Sequence, residues 1–236
     1  MIDGKSVLAI IPARGGSKGI SKKNIFLIKG KPLIYYSINA AKKSHYIDKL
    51  IVSTEDEEIL KVAKKLGVEV VKRDRKYSED NIPLRPDLMK YIAKEQFNDR
   101  YDIIVMIMAP CVLVKTEHID KVIEKIARTD AEWVTTICEA ERHPFRMRKI
   151  IDDNLVPIMD GNIWAQRQDL PKIYDMEESV FATKKYVLDK KECLENSKWA
   201  GVIIPKEYSL DIHELKDITI AEAMLSMLSE RENENK

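Results

Sequence analysis

What most limits the fold of this chain is an alternation that runs through most of its 236 residues. Short apolar, β-branched runs take turns with amphipathic stretches. "VLAIIP" (7–12), "KLIVST" (49–54), "VEVV" (68–71), "DIIVMIM" (102–108) and "EWVTTI" (132–137) predict strands. The first and fourth are apolar throughout, as strands buried on both faces of a parallel sheet should be. Between the strands, "KPLIYYSINAAKKS" (31–44), "DEEILKVAKKLG" (56–67), "PLRPDLMKYIAKEQF" (83–97) and "EHIDKVIEKIA" (117–127) carry helical periodicity, and Gly67 is placed to close the second helix. This order implies an α/β fold with a doubly wound, mostly parallel sheet and helices on both faces. Residues 142–175 break the rhythm with prolines and short strand-like pieces, and predict an excursion serving as a lid or a dimerisation arm. A helix near 183–196, the strand "WAGVIIP" (199–205) and a final helix near 214–229 follow. With no internal repeat or low-complexity linker, residues 1–236 read as one domain.

Composition narrows the function classes. Hydrophobic residues make up 44% and charged residues 33%, a globular rather than a disordered balance. No apolar stretch approaches the roughly 18–20 residues of a membrane span, which predicts a soluble protein. The start, "MIDGKSVLAIIP", is a poor signal peptide and a good first strand. Cys111, Cys138 and Cys193 are odd in number and widely separated, which argues against a disulfide framework or a thiolate zinc site and for the cytoplasm. Net charge is +1, yet residues 1–50 hold ten Lys and Arg against Asp3 and Asp48, a local charge of +8. A basic segment on a nearly neutral chain points to a local anion site rather than a nucleic-acid surface.

That segment contains "LAIIPARGGSKGISKKN" (8–24), in which the first strand breaks into a loop with three glycines, one arginine and three lysines. Neither the Walker spacing nor the dinucleotide fingerprint fits Gly15, Gly16 and Gly19. The loop nevertheless leaves the carboxyl end of a strand, where ligands of open α/β sheets bind. Glycines let backbone N–H groups approach phosphate oxygens. Arg14 offers a planar fork, and Lys18 and Lys23 offer point charges. The set suits a triphosphate or a leaving pyrophosphate; the competing reading is a solvated basic hairpin. A second stretch, "YSLDIHELKDITIAEAM" (208–224), places Asp211 and His213 two apart, on one side of an extended segment. They could hold a divalent cation, or cap the helix that begins near Glu214. His45 and His118 read as structural or solvated, His143 beside Pro144 as ordering a turn, and Cys111 as a small buried thiol.

Both stretches together resemble the acylneuraminate (sialic acid) cytidylyltransferase family. The signature is "IIPARGGSKGISKKNI" (10–25), with "GKPLIYYSINAA", "IVSTEDEEI", "VKRD" (71–74), "RHP" (142–144), "QRQDLP" (166–171) and "SLDIHELKDITIAE" (209–222). The resemblance implies a nucleotide-diphospho-sugar transferase-like fold and Mg²⁺-dependent transfer of CMP from CTP to an acidic, nonulosonate-type sugar, with release of pyrophosphate. It implies that Arg14, Ser17 and Lys18, with Ala13, Gly15 and Gly16, hold the triphosphate and that Lys23 lies near the α-phosphate. Asn24 and Arg73 would contact the nucleoside, and Asp211 would bind metal, with His213 two residues on as a second candidate ligand. Arg167 and Gln168 would meet the acceptor from the arm of a homodimer. Three departures stand out. Met108 or Ala109 replaces a nucleotide-contacting glutamine, His213 replaces a second aspartate, and "EESVF" (177–181) replaces a sugar-contacting Asn-Gly-Ala-Ile-Tyr run. Glu177 and Glu178 would put negative charge where a carboxylated sugar is expected. The alternatives are therefore a related nucleotidyltransferase with a non-sialate acceptor, or a catalytically weak nucleotide-binding relative.

Overall fold

The computed structural model describes residues 1–79 and 84–234, without the side chains of 84, 85, 167 and 232–234. The apolar runs form the strands of a central sheet: β1 (Val7–Pro12), β2 (Lys49–Thr54), β3 (Glu69–Lys72), β4 (Ile103–Ile107), β5 (Trp133–Glu139), β6 (Tyr174–Lys184) and β7 (Trp199–Ile203). Their spatial order is β7-β5-β6-β4-β1-β2-β3. Four of the pairings, β1–β2, β1–β4, β2–β3 and β5–β7, are parallel; β6 alone runs antiparallel, between β4 and β5. From β1 the chain winds outward through β2 to β3, then crosses back to β4 on the other side of β1. The reversal opens a crevice at the carboxyl ends of β1 and β4.

β1 and β4 are buried along their whole length. Val7, Ala9 and Ile11 face one core, which includes Ile34, Ile38, Ile59, Ile119, Val122 and Ile123. Leu8 and Ile10 face the other, with Leu88, Ile92, Trp133 and Phe181. The first core is closed by helices α1 (Ile34–Lys42), α2 (Glu57–Lys65), α3 (Thr116–Arg128) and α4 (Leu215–Glu234). α2 is defined at both ends: Asp56 accepts from the Glu58 and Ile59 amides, and Gly67, at φ 70°, takes the left-handed turn behind it. The helix expected at 83–97 is a helical segment over 84–96, wide-turned except at Met89–Tyr91; the part of that prediction before residue 84 lies outside the described residues. Among the described residues, no helix is long and apolar enough to cross a membrane.

Two expectations are corrected. The stretch 183–196 is not a helix: Lys184 ends β6, and only a short 3-10 turn, Lys185–Asp189, follows. β6 itself did not announce itself in the pattern, because its alternation is broken in mid-strand. Met176 pairs with Ile137 and Phe181 with Thr135, so residues 177–180 bulge opposite Thr136 alone. The stretch 142–175 overlaps the sheet at its end, since Tyr174 and Asp175 already belong to β6 and pair with Glu139 and Cys138. It contains a hairpin of Arg148–Ile151 and Asn154–Pro157, opened by a turn that His143 caps by accepting from the Phe145 amide.

Candidate active site

The loop after β1 is anchored by hydrogen bonds at its start. Ala13 N donates to Ser53 O on β2 (2.9 Å), and buried Asn24 returns from the far end to donate its side-chain amide to Arg14 O (2.8 Å). The glycines earn their place by close approach to protein. A Cβ on Gly15 would lie 2.5 Å from Asp56 Oδ2, and one on Gly19 would lie 2.1 Å from the His213 carbonyl oxygen. Gly16 has open space around it. The Gly15 N–H donates to Glu55 Oε1 (2.8 Å) and the Ser17 N–H to Gly15 O (3.0 Å), so these two amides serve the loop's own shape.

The Gly19 contact marks where the two sequence-predicted stretches meet. Lys23 Nζ donates to the Ile212 carbonyl (2.7 Å), bridging 189 positions of sequence, and Ile212 N in turn reaches Pro110 O in the loop after β4 (3.4 Å). Lys23 is half-buried, and that burial pushes its ammonium below the usual lysine range, with Asp211 pulling the other way. The Asp211 carboxyl is raised, first by burial and then against the opposing pull of His213 and Lys23. His213 Nε2 lies 3.0 Å from Asp211 Oδ2. Neither residue caps α4. Asp217 does so, its Oδ2 accepting from the His213 and Glu214 amides at 2.8 Å each.

Arg14 and Arg73 converge on Ser78. Arg14 Nη1 donates to Ser78 O (3.4 Å). Arg73 is 3% exposed; its Nε donates to Ser78 Oγ (2.9 Å) and Glu55 Oε2 (3.3 Å), and its Nη1 is buried with no partner among the described residues. A buried guanidinium N–H without an acceptor is costly, and an acceptor brought by a ligand would relieve it. Burial pushes the Glu55 carboxyl up, but bonds from Ser78 and Gly15 and the charge of Arg73 hold it below its ordinary value. Glu55, Ser78 and Asp217 are the supporting residues that pattern reading missed. Glu55 and Ser78 carry no pattern signal, since Glu55 meets Gly15 and Arg73, and Ser78 meets Glu55, across long stretches of sequence. Asp217, by contrast, lies in "HELKD", within four residues of the amides it accepts from.

The remaining candidates lie apart. Lys18 and Gly16 are on the exposed crest of the loop. Gln168 is on the arm, where its amide donates to Gln166 Oε1; Arg167 opens the same short turn, and its side chain lies outside the described ones. Among the described residues, no group of three or more His, Cys, Asp and Glu gathers as a metal site. A single carboxylate such as Asp211 still suits magnesium, which prefers one or two carboxylates completed by water and phosphate oxygens. Cys111 is buried beside this cluster, its thiol pushed well up by burial and by the charges of Asp211, Glu177 and Glu178.

The chain is similar to known proteins along nearly its whole length. A family model described as cytidylyltransferase matches residues 8–218. The N-acylneuraminate cytidylyltransferase of Streptococcus agalactiae serotype V is 28% identical over 97% of this chain, which spans 56% of that relative's length. The pseudaminic acid cytidylyltransferase of Campylobacter jejuni is 31% identical, covering 92% of this chain and 95% of the relative. Among solved structures, a CMP:2-keto-3-deoxy-manno-octonic acid synthetase complexed with CTP superposes with a TM-score of 0.73 over 94% of this chain and 99% of its own, at 11% identity, a likeness of fold. With the family model and the Campylobacter relative both matched over most of the sequence, the chain belongs to the cytidylyltransferase family.

Proposed function

We propose that this protein transfers CMP from CTP to an acidic sugar of the nonulosonate type and releases pyrophosphate. The observation that carries the reading is the junction of Lys23 with the Ile212 carbonyl, which sets Asp211 beside the basic loop. Transfer needs positive charge where the β- and γ-phosphates depart, and the loop offers Arg14, Lys18 and Lys23 for it, while Lys22 pairs with Glu58. The sugar hydroxyl attacks the α-phosphorus, the bond to the β-phosphate oxygen breaks, and the hydroxyl proton is released to solvent. Arg73, with its buried donor, and Asn24 suit the nucleoside end. Asp211 would hold Mg²⁺ together with phosphate oxygens, with His213 as a second candidate ligand; the metal supplies charge neutralisation on the phosphates. Arg14 and Lys23 would position the chain of phosphates.

Two further readings complete the proposal. The arm suits a homodimer, because its hairpin exposes Ile150 and Leu155 and the next residue, Ile158, is uncovered as well; in such a dimer Arg167 and Gln168 are the candidate acceptor contacts. Three free, buried cysteines suit a reducing compartment, the cytoplasm. The test is a pyrophosphate-release assay that crosses four NTPs with a panel of sugar acids, with and without Mg²⁺. Release with CTP, Mg²⁺ and a nonulosonate is expected, as is its loss in Asp211→Asn. Release only with another nucleotide or another acceptor class would overturn the reading.

A further inference from the structure

The bulge in β6 lies beside the reacting end of this site. Its four residues hang on a defined scaffold: Ser179 O accepts from Met108 N (2.9 Å), and Val180 N donates to Thr136 Oγ1 (3.2 Å). The loop that begins at Met108 also carries Pro110, which meets Ile212 N, and Ile212 in turn holds Lys23. One loop therefore ties the bulge, the Asp211 segment and Lys23 into a single wall. Within the bulge the two glutamates have different fates. Glu177 folds back, its Oε2 accepting from Ser179 N (3.0 Å) and Ser179 Oγ (2.6 Å). Glu178 adopts φ 68°, a left-handed conformation that a residue with a Cβ enters at a cost. Its partly exposed carboxylate lies close enough to Asp211 and Cys111 to raise both. A residue held in a strained conformation at a reaction centre, where glycine would cost less, implies a use for its side chain.

We propose that Glu178 selects the acceptor, favouring an acidic sugar that turns a cationic nitrogen substituent, an amine or an amidine, toward the bulge. The inference rests on the cytidylyl-transfer reading above. With Asp211, Glu177 and Glu178 along one wall, the sugar's own carboxylate is repelled from it, and a neutral N-acyl group gains less than a charged donor, whose bond to a carboxylate is charge-assisted. Ser179 folds the Glu177 carboxylate back onto the strand, and the discrimination is assigned to Glu178 for its strained backbone and its place beside Asp211 and Cys111.

The experiment compares kcat/KM for CTP-dependent pyrophosphate release on two nonulosonates of one skeleton, the first with a free amino group and the second with that nitrogen acetylated. Wild-type enzyme is expected to prefer the amino sugar by about tenfold or more, the size of one charge-assisted hydrogen bond. Glu178→Gln and Glu178→Gly should each erase most of that preference. The glycine variant also relieves the backbone, so it guards against loss of fold. CTP affinity, read by calorimetry, should stay unchanged in both. Turnover with equal kcat/KM on the two sugars, or a preference that survives both substitutions, overturns the role of Glu178 and leaves cytidylyl transfer standing. No pyrophosphate release from CTP on any sugar acid overturns both.

Discussion

At the scale of single residues, the loop after β1 depends on where a Cβ cannot go. Glycines near a phosphate site invite the reading that their amides face the ligand. Here Gly19 instead lets the loop dock on the His213 carbonyl, a backbone atom that cannot swing aside. Gly19→Ala should therefore push the loop away from the Asp211 segment and lower stability by about 1–3 kcal/mol, the usual penalty of overpacking. Gly16→Ala meets nothing within 4 Å and should leave the melting temperature nearly unchanged. Thermal denaturation of the two variants side by side checks this; equal melting temperatures would mean that the loop and the Asp211 segment do not hold each other. The basic character of the loop was plain in the sequence. The reason for Gly19 was not, because its partner stands 194 positions later and periodicity carries no information about such contacts.

At the scale of elements, strands buried on both faces were the most legible, since unbroken apolar runs leave little choice of partner. β6 was the least legible, because Glu177 and Glu178 interrupt a run that otherwise packs Val180, Phe181 and Ala182 into the core. His118 shows the same limit for a side chain. The sequence leaves it structural or solvated, and the structure makes it structural: it is 1% exposed, accepts from Lys115 N through Nδ1 (3.3 Å), and meets Tyr208 edge-on at 4.9 Å. It thus joins the start of α3 to the segment that leads into Asp211. Burial lowers its pKa from 6.5 to about 4, with Lys121 and Lys115 adding to the shift and Glu117 opposing it. The folded state then binds fewer protons than the unfolded chain between these values. Stability is full above the unfolded value and is lost as pH falls from about 6.5 toward 4, by up to about 3 kcal/mol. Denaturant midpoints from pH 7.5 to 4.5 should fall for the wild type and fall less for His118→Phe, which keeps the edge contact but cannot charge. Parallel curves would place the acid sensitivity elsewhere.

For the whole molecule, the question is why a chain with two well-filled cores carries an arm that fills neither. The sequence marked residues 142–175 as an excursion through its prolines and broken rhythm, but could not tell a lid from a dimerisation arm. The structure gives the arm's surface. Ile150 is 73% exposed, Leu155 71% and Trp164 87%, with Met147, Ile158 and Met159 also uncovered. A two-stranded hairpin is marginally stable alone, and soluble monomers rarely leave so many large apolar side chains together in water. A second copy of the chain is the partner that the dimer reading supplies. Wild-type protein should therefore run at twice its 27.3 kDa chain mass in light scattering at micromolar concentration. Ile150→Asp combined with Leu155→Lys should shift it to the monomer and, because the core strands are untouched, leave its circular dichroism intact. If the arm also brings Arg167 to a neighbouring site, the same variant should lose turnover while each subunit still binds CTP. A wild-type monomer at those concentrations, or a variant that stays dimeric, would assign the apolar hairpin to some other partner.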